Sequence, residues 1–267
     1  MIARVFPRRT RATPTDELAY TCPPGLFAPV VDAVHVSVAF SWDLPLAEHL
    51  AREWERVAPV TVGGPALGTR GEDFEPGMYL REGYVITSRG CPNKCWFCSV
   101  WKRDGAIREL PICDGWNVLD DNLLACSEAH IRAVFAMLKR QRERIEFTGG
   151  LEAAILKPWH VDLLADLKPK QMFFAYDGPE DYEPLVVAGR MLREAGITLA
   201  GKTMRAYVLI GYPRDTLSDA ERRLNDTLAA GFVPMAMLWR DQHGHRDPTW
   251  SRLQRLWARP ALIRRAV

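Results

Sequence analysis

Residues 84–98 read YVITSRGCPNKCWFC, an apolar run that breaks at Ser88-Arg89-Gly90 and then presents three cysteines. A short β-branched and aromatic run ended by a glycine reads as a strand buried on both faces. Similar runs recur downstream: WNVL (116–119), IEFT (145–148), MFFAY (172–176), RAYVLI (205–210) and VPMAML (233–238). Helices fit between most of them. Over about 127–143, Ser127 stands as N-cap before the i, i+3, i+4, i+7 stripe of Ile131, Val134, Phe135 and Leu138, with Lys139 and three arginines towards the far end. Helices over about 180–195 and 216–230 stop at Gly196 and Gly231. Strands alternating with helices predict an α/β fold with a parallel sheet under helices. Six strands are too few for a closed eight-stranded barrel, so the expectation for residues 76–240 is a partial (βα)6 TIM-like barrel.

Upstream, VHVSVAF (34–40) reads as a strand, and a helix over about 44–57 carries Leu46, Leu50, Trp54 and Val57 on one face. VTV (60–62) then runs into Gly63-Gly64-Pro65, which makes one small β-α-β unit within an extension of residues 1–75. Residues 66–83, rich in Gly, Pro and charge, read as a linker. Residues 241–267 read as a basic amphipathic helix that lays Trp250, Leu253, Leu256 and Trp257 on the barrel. There is no internal repeat and no low-complexity tract.

A net charge of +2 over 267 residues gives no overall preference for an anionic partner, but the ends are basic. Arg4, Arg8, Arg9 and Arg11 face no acid in the first 15 residues, and seven arginines in 240–267 face Asp241 and Asp247 alone. No apolar run is long enough to span a bilayer, and the N-terminal arginines precede no apolar leader, so the expectation is a cytoplasmic protein with no membrane partner. Six cysteines are too few for a disulfide scaffold. Three of them grouped in a reducing compartment point to metal.

Cys91, Cys95 and Cys98 have the spacing C-x3-C-x2-C. Three thiolates this close can hold three irons of a [4Fe–4S] cube and leave the fourth open, whereas closed cubes use four cysteines. The competing reading is a zinc site completed by Cys113, Cys126 or a histidine, although zinc motifs usually pair two C-x2-C units and no second pair exists here.

With Phe97 before the third cysteine and a strand ahead of the first, SRGCPNKCWFC resembles the signature of the radical S-adenosylmethionine superfamily. The resemblance extends more weakly over 84–240. It implies a six-stranded partial barrel with Cys91, Cys95 and Cys98 holding the cluster. S-Adenosylmethionine would chelate the open iron and yield a 5′-deoxyadenosyl radical on one-electron reduction by a donor such as flavodoxin or ferredoxin. The ends of the later strands would then face the cofactor. Asp120-Asp121-Asn122 resembles the acidic triplet of relatives whose cobalamin domain precedes the barrel, and would receive the methionyl amine; otherwise it is a turn. Gly149 and Gly150 would let the backbone approach a ligand, beside the acid Glu152. Asp177 would meet the ribose hydroxyls or the substrate, and Gly211 in GYP resembles the turn that flanks adenine, with Asp215 or Thr216 as an ordinary helix cap. Phe97 completes the cofactor-contacting set, and Cys126 and Tyr176 are the candidates for catalytic groups. Either Cys113 or Cys126 could instead ligate a second cluster or be a small buried hydrophobe. Cys22 reads as inert, Arg205 as remote from the cofactor, Met235 and Met237 as core, and Asp241–His245 as a surface loop.

The VGGP segment resembles the end of a cobalamin-binding domain. Its Asp-x-His-x-x-Gly loop is missing, so no cobalamin is expected and the extension reads as a remnant of a Rossmann-like domain. The substrate is left open as a nucleotide, nucleic acid or peptide, which the basic ends would suit if it carries phosphate. Alternatives are a non-catalytic zinc or iron–sulfur module that docks a partner, and a radical methyltransferase.

Overall fold

The computed structural model describes residues 1–70, 74–197 and 202–258. Its first part holds strands β1 (Ile2–Val5), β2 (Ala19–Tyr20) and β3 (Ala33–Ser37), helix α1 (Leu44–Trp54) and strand β4 (Val60–Gly63). These strands form one parallel sheet in the order β2-β1-β3-β4. The single β-α-β unit expected from sequence is therefore half of a larger sheet. One face buries Ala3, Val5, Val34 and Val36 against Ala47, Leu50, Ala51 and Trp54 of α1. Leu46, expected on that face, is exposed.

The segment read as a linker is attached to the sheet. Arg4 donates from Nη1 to the carbonyls of Gly77 (2.8 Å) and Met78 (3.1 Å), His35 Nδ1 meets the Tyr79 hydroxyl at 2.6 Å, and the Arg81 amide donates to Ala12 O at 2.8 Å.

Next come β5 (Tyr84–Val85), β6 (Ser88–Arg89), α2 (Val100–Arg103), β7 (Arg108–Glu109), β8 (Asn117–Val118), α3 (Glu128–Lys139), β9 (Glu146–Phe147) and α4 (Pro158–Leu167). The chain continues through β10 (Gln171–Ala175), α5 (Tyr182–Glu194), β11 (Met204–Ile210), α6 (Leu217–Ala229), β12 (Val233–Leu238) and α7 (Pro248–Trp257). Six strands form a second sheet in the order β12-β11-β10-β9-β8-β5, every pair parallel. The expected α/β class with parallel strands holds. The run 84–88 is not one strand, because after Val85 the chain changes partner and β6 pairs antiparallel with β7.

Alternation along β11 sorts the two faces of this sheet. Met204, Ala206, Val208 and Ile210 are buried with Met172 and Phe174 of β10 in the core under the helices. Phe135 of α3 stacks on Phe147 of β9 there at 5.5 Å. Arg205 and Tyr207 take the other face. Tyr207 stacks on Phe173 at 4.3 Å, and Arg205 lies over that ring at 4.7 Å. Met235 and Met237 are in register with Tyr207 and Leu209 on this second face, and Met237 is 41 % exposed, so neither is the core residue expected.

The caps follow the sequence closely. Ser127 accepts from the His130 amide, and Thr216, rather than Asp215, accepts from the Asp219 amide. Trp250 and Trp257 of α7 lie against the main core and Leu253 is buried, while Leu256 is exposed. Of the C-terminal segment, residues 259–267 lie outside the described residues. No described helix is long and apolar enough to cross a membrane.

Candidate metal centre

The cysteine loop leaves the sheet at Thr87 and returns at Leu110, whose amide donates to Thr87 O at 2.8 Å. The β6–β7 pairing closes its base. Gly90 makes the first bend at φ +87°, where a Cβ would stand 2.3 Å from Ala106 O, so only glycine fits. Beyond it the Cys91 amide donates to Gly105 O (3.2 Å), the Cys98 amide to Cys95 O (3.1 Å) and Trp101 Nε1 to Cys95 O (3.0 Å). These bonds curl the segment so that its three thiols sense one another. Burial pushes Cys95 up to about 11, with Cys98, Cys91 and Asp177 adding to the rise. Burial likewise raises Cys98. All six cysteines are free thiols, and among the described residues no three His, Cys, Asp or Glu side chains already stand as one metal ion's ligands. A bound metal with its positive charge would reverse these shifts.

Asp120 and Asp121 hold this loop. Asp120, 1 % exposed, accepts from the Thr87 amide (2.6 Å), the Thr87 hydroxyl (2.6 Å) and the Ser88 hydroxyl (2.7 Å). Asp121 accepts from the Gly90 amide at 2.9 Å. Burial raises both carboxyls against the pull of those donors. Their oxygens thus face the loop's backbone and hydroxyls.

Asn122, 4 % exposed, sends Nδ2 to Cys91 Sγ (3.6 Å) and to Glu152 Oε2 (2.5 Å), and its Oδ1 is buried without a donor. Glu152 is thus brought to the cysteines, as its place after β9 suggested. Of the two preceding glycines, Gly149 lies against backbone, where a Cβ would meet Asp120 O at 2.2 Å. Gly150, at φ +119°, has nothing within 4 Å of such an atom, leaving open space beside Glu152.

Asp177 lies near Cys95 but is already engaged: it accepts from the Leu209 amide at 2.9 Å, and burial, helped by Asp181 and Glu180, lifts it to about 7. Gly211 is a turn residue at φ +71° whose amide donates to Asp215 (2.8 Å). Phe97 meets Trp96 edge-on at 5.5 Å, and Trp96 meets Tyr212 at 5.6 Å, which carries the cysteine loop across to the end of β11.

The two expected catalytic groups pack against the helix-side core. Tyr176 follows the parity of Met172 and Phe174 onto the helix side, where it is buried and its hydroxyl donates to Asp226 at 3.4 Å. With Tyr182 and Tyr212 it borders a cavity of about 430 Å3. Cys126 is held against the helix-side core beside Ser88, and burial pushes its thiol up to about 11. Sequence reading missed Asn122's polar contacts and the Trp96–Tyr212 bridge. An asparagine right after two loop-anchoring acids was the available signal for the first. His243 and His245 donate their amides to Asp241, as expected of a local loop.

The chain matches no known protein-family model and no curated protein.

Proposed function

We propose that the chain is a radical S-adenosylmethionine enzyme whose six parallel strands curve into a partial barrel. Cys91, Cys95 and Cys98 would hold a [4Fe–4S] cluster at the carboxyl end of the first strand. The observation that carries the reading is Asn122 Oδ1, a buried acceptor without a donor, beside Cys91 and Glu152. A buried polar atom left unmatched costs about 1–3 kcal/mol, so its persistence beside a metal-ligand loop calls for a donor that binds there. The ammonium of an amino acid is such a donor. Asn122 Oδ1 and the Glu152 carboxylate supply acceptors on one side of it, and the open space beside Gly150 admits it.

When bound, the cluster and S-adenosylmethionine supply one-electron chemistry that removes a hydrogen atom from a substrate. The chain's own residues do the rest. Asp120 and Asp121 fix the loop, Asn122 and Glu152 orient the amino-acid end, and the Trp96–Tyr212 contact ties the loop to the end of β11. The donor set suits the group: three thiols on one loop with no fourth cysteine in it. Protein reconstituted with iron and sulfide under anaerobic conditions, given S-adenosylmethionine and dithionite, should release 5′-deoxyadenosine. Cys95→Ala should release none. A colourless protein carrying one zinc overturns the reading.

A further inference from the structure

In an open parallel sheet, ligands bind outside the carboxyl ends of the strands, at the point where neighbouring strands connect in opposite directions. In the order β2-β1-β3-β4 that point lies between β1 and β3. The residues that follow these two strands are not ordinary turn residues. Arg8, past β1, forks onto Asp43, past β3, with Nε to Oδ2 at 2.8 Å and Nη2 to Oδ1 at 2.5 Å. Phe40 and Trp42 stack at 4.9 Å, nearly parallel at 9°. The second sheet contributes to the same place: Arg240, just past β12, lies over the Trp42 ring at 4.9 Å, and Ser41 Oγ donates to Gln242 O at 3.2 Å. The carboxyl ends of the two sheets therefore meet here.

The crevice is short of negative charge. Asp43 is already committed to Arg8, and among the described residues neither Arg240 nor Arg246 has an ion-pair partner. Burial, Arg246 and Arg8 together lower Arg240 below the usual guanidinium value, with Asp43 opposing. The Trp42 Nε1–H is buried and has no acceptor. Two guanidiniums and an indole N–H, all donors, belong to this crevice, where Asp43 is taken by Arg8 and Oδ1 of the neighbouring Asp241 by the His243 and His245 amides. What is missing is an acceptor with negative charge.

We propose that this crevice binds an oxyanion, the phosphate or carboxylate of a small molecule, between Arg8, Arg240 and the indole N–H of Trp42. As the handle by which a substrate is held against the end of the six-stranded sheet, it rests on the radical reading above; as an anion site it does not. Asp43 holds the Arg8 guanidinium by Nε and Nη2, leaving Nη1 for the anion, and Arg240 already rests over the Trp42 ring, so little ordering is left for the anion to impose.

The test uses the full chain without iron, at fixed ionic strength, titrated separately with sodium pyrophosphate and with sodium citrate. Thermal unfolding and tryptophan fluorescence report binding. At least one probe should saturate, and whichever does identifies phosphate or carboxylate. Arg240→Gln should weaken it at least tenfold, while Arg190→Gln on the outer helix α5 should not. Arg8→Gln strands a buried Asp43 and can lose the fold, so Arg240→Gln decides. Saturation by neither probe, or unchanged binding in Arg240→Gln, overturns the proposal. A protein that binds the probe yet makes no 5′-deoxyadenosine refutes the radical reading alone.

Discussion

Replacing Asp120 by alanine separates two roles that the sequence alone could not. If the carboxylate anchors the cysteine loop, its loss strands three donors in a buried setting: the Thr87 amide and the hydroxyls of Thr87 and Ser88. The hydroxyls can turn elsewhere, since Thr87 Oγ1 already lies 3.3 Å from His130 Nε2. The Thr87 amide cannot turn. One buried amide without an acceptor and two weakened hydroxyl bonds come to about 3–5 kcal/mol, at about 1–3 kcal/mol for the first and about 1 kcal/mol for each of the others. That is a large share of the stability of a typical domain, about 5–15 kcal/mol.

The assay is urea unfolding of the metal-free protein, so that cluster loss does not enter the stability. Asp120→Ala should lower the midpoint strongly without changing the slope. The same variant should fail to retain iron after reconstitution, because the loop that presents the thiols has lost its base. Asn122→Ala serves as the contrast, with little change in unfolding and a weakened response to S-adenosylmethionine. If Asp120→Ala unfolds at the wild-type urea concentration and loses only cofactor affinity, the anchoring role is wrong and Asp120 is the amine receiver after all.

Glu152→Gln keeps the hydrogen bond to Asn122 but removes the charge, so S-adenosylmethionine should perturb the spectrum of the reduced cluster only at concentrations raised about tenfold or more, a loss of about 1.4 kcal/mol as for a charged partner; an unaltered titration would exclude Glu152 from the site. Gly90→Ala should block iron incorporation while leaving the far-UV spectrum largely intact, because a Cβ there collides with Ala106 O at 2.3 Å; normal iron content in that variant would refute the tight bend. His160 is held neutral, lowered to about 4 by burial and by Lys157, with Nδ1 accepting from the Lys157 amide at 3.0 Å. Its unfolded value is near 6.5, so the unfolded state takes up the proton first: stability should be full above pH 6.5 and fall as pH drops from there towards 4. His160→Gln should flatten that part of the curve, and an unchanged pH dependence would show that another group governs it.

The six strands of the main sheet and the Ser127 and Thr216 caps could be read from local pattern, because each depends on residues close in sequence. Strands β1 and β2 could not. IARV and AY are short, and they pair in parallel with partners far along the chain, without a hairpin turn to announce them. The misplacement of Tyr176 was avoidable. Counting by twos from Met172 and Phe174 puts it under the helices, whereas Asp177 falls on the other face with Phe173. Asp120 falls on Val118's side by the same count, which turns it towards the base of the loop. Type and spacing singled out the triplet at 120–122, but only the distances divide it into two loop anchors and one residue that reaches Cys91 and Glu152.

The N-terminal sheet is tied to both ends of the larger one. Strands β5 and β12 are its edges, and open edges invite unwanted pairing unless something covers them. On the β5 side, Arg4 holds the backbone at Gly77 and Met78 just ahead of the strand, and Arg70 Nε donates to Arg103 O (3.2 Å) just past the cysteine loop. On the β12 side, Ser41 and Trp42 meet Gln242, Arg240 and Gly244, where a Cβ on the glycine would stand 2.7 Å from the indole. The loops after β3 and β4 thus reach over opposite ends of one six-stranded sheet, on the side where its strands end. An appended domain with its own task would need contact at one edge only. Contacts at both lay the small sheet along the side where the strands of the larger one end, with Arg8, Asp43 and Trp42 at its β12 end.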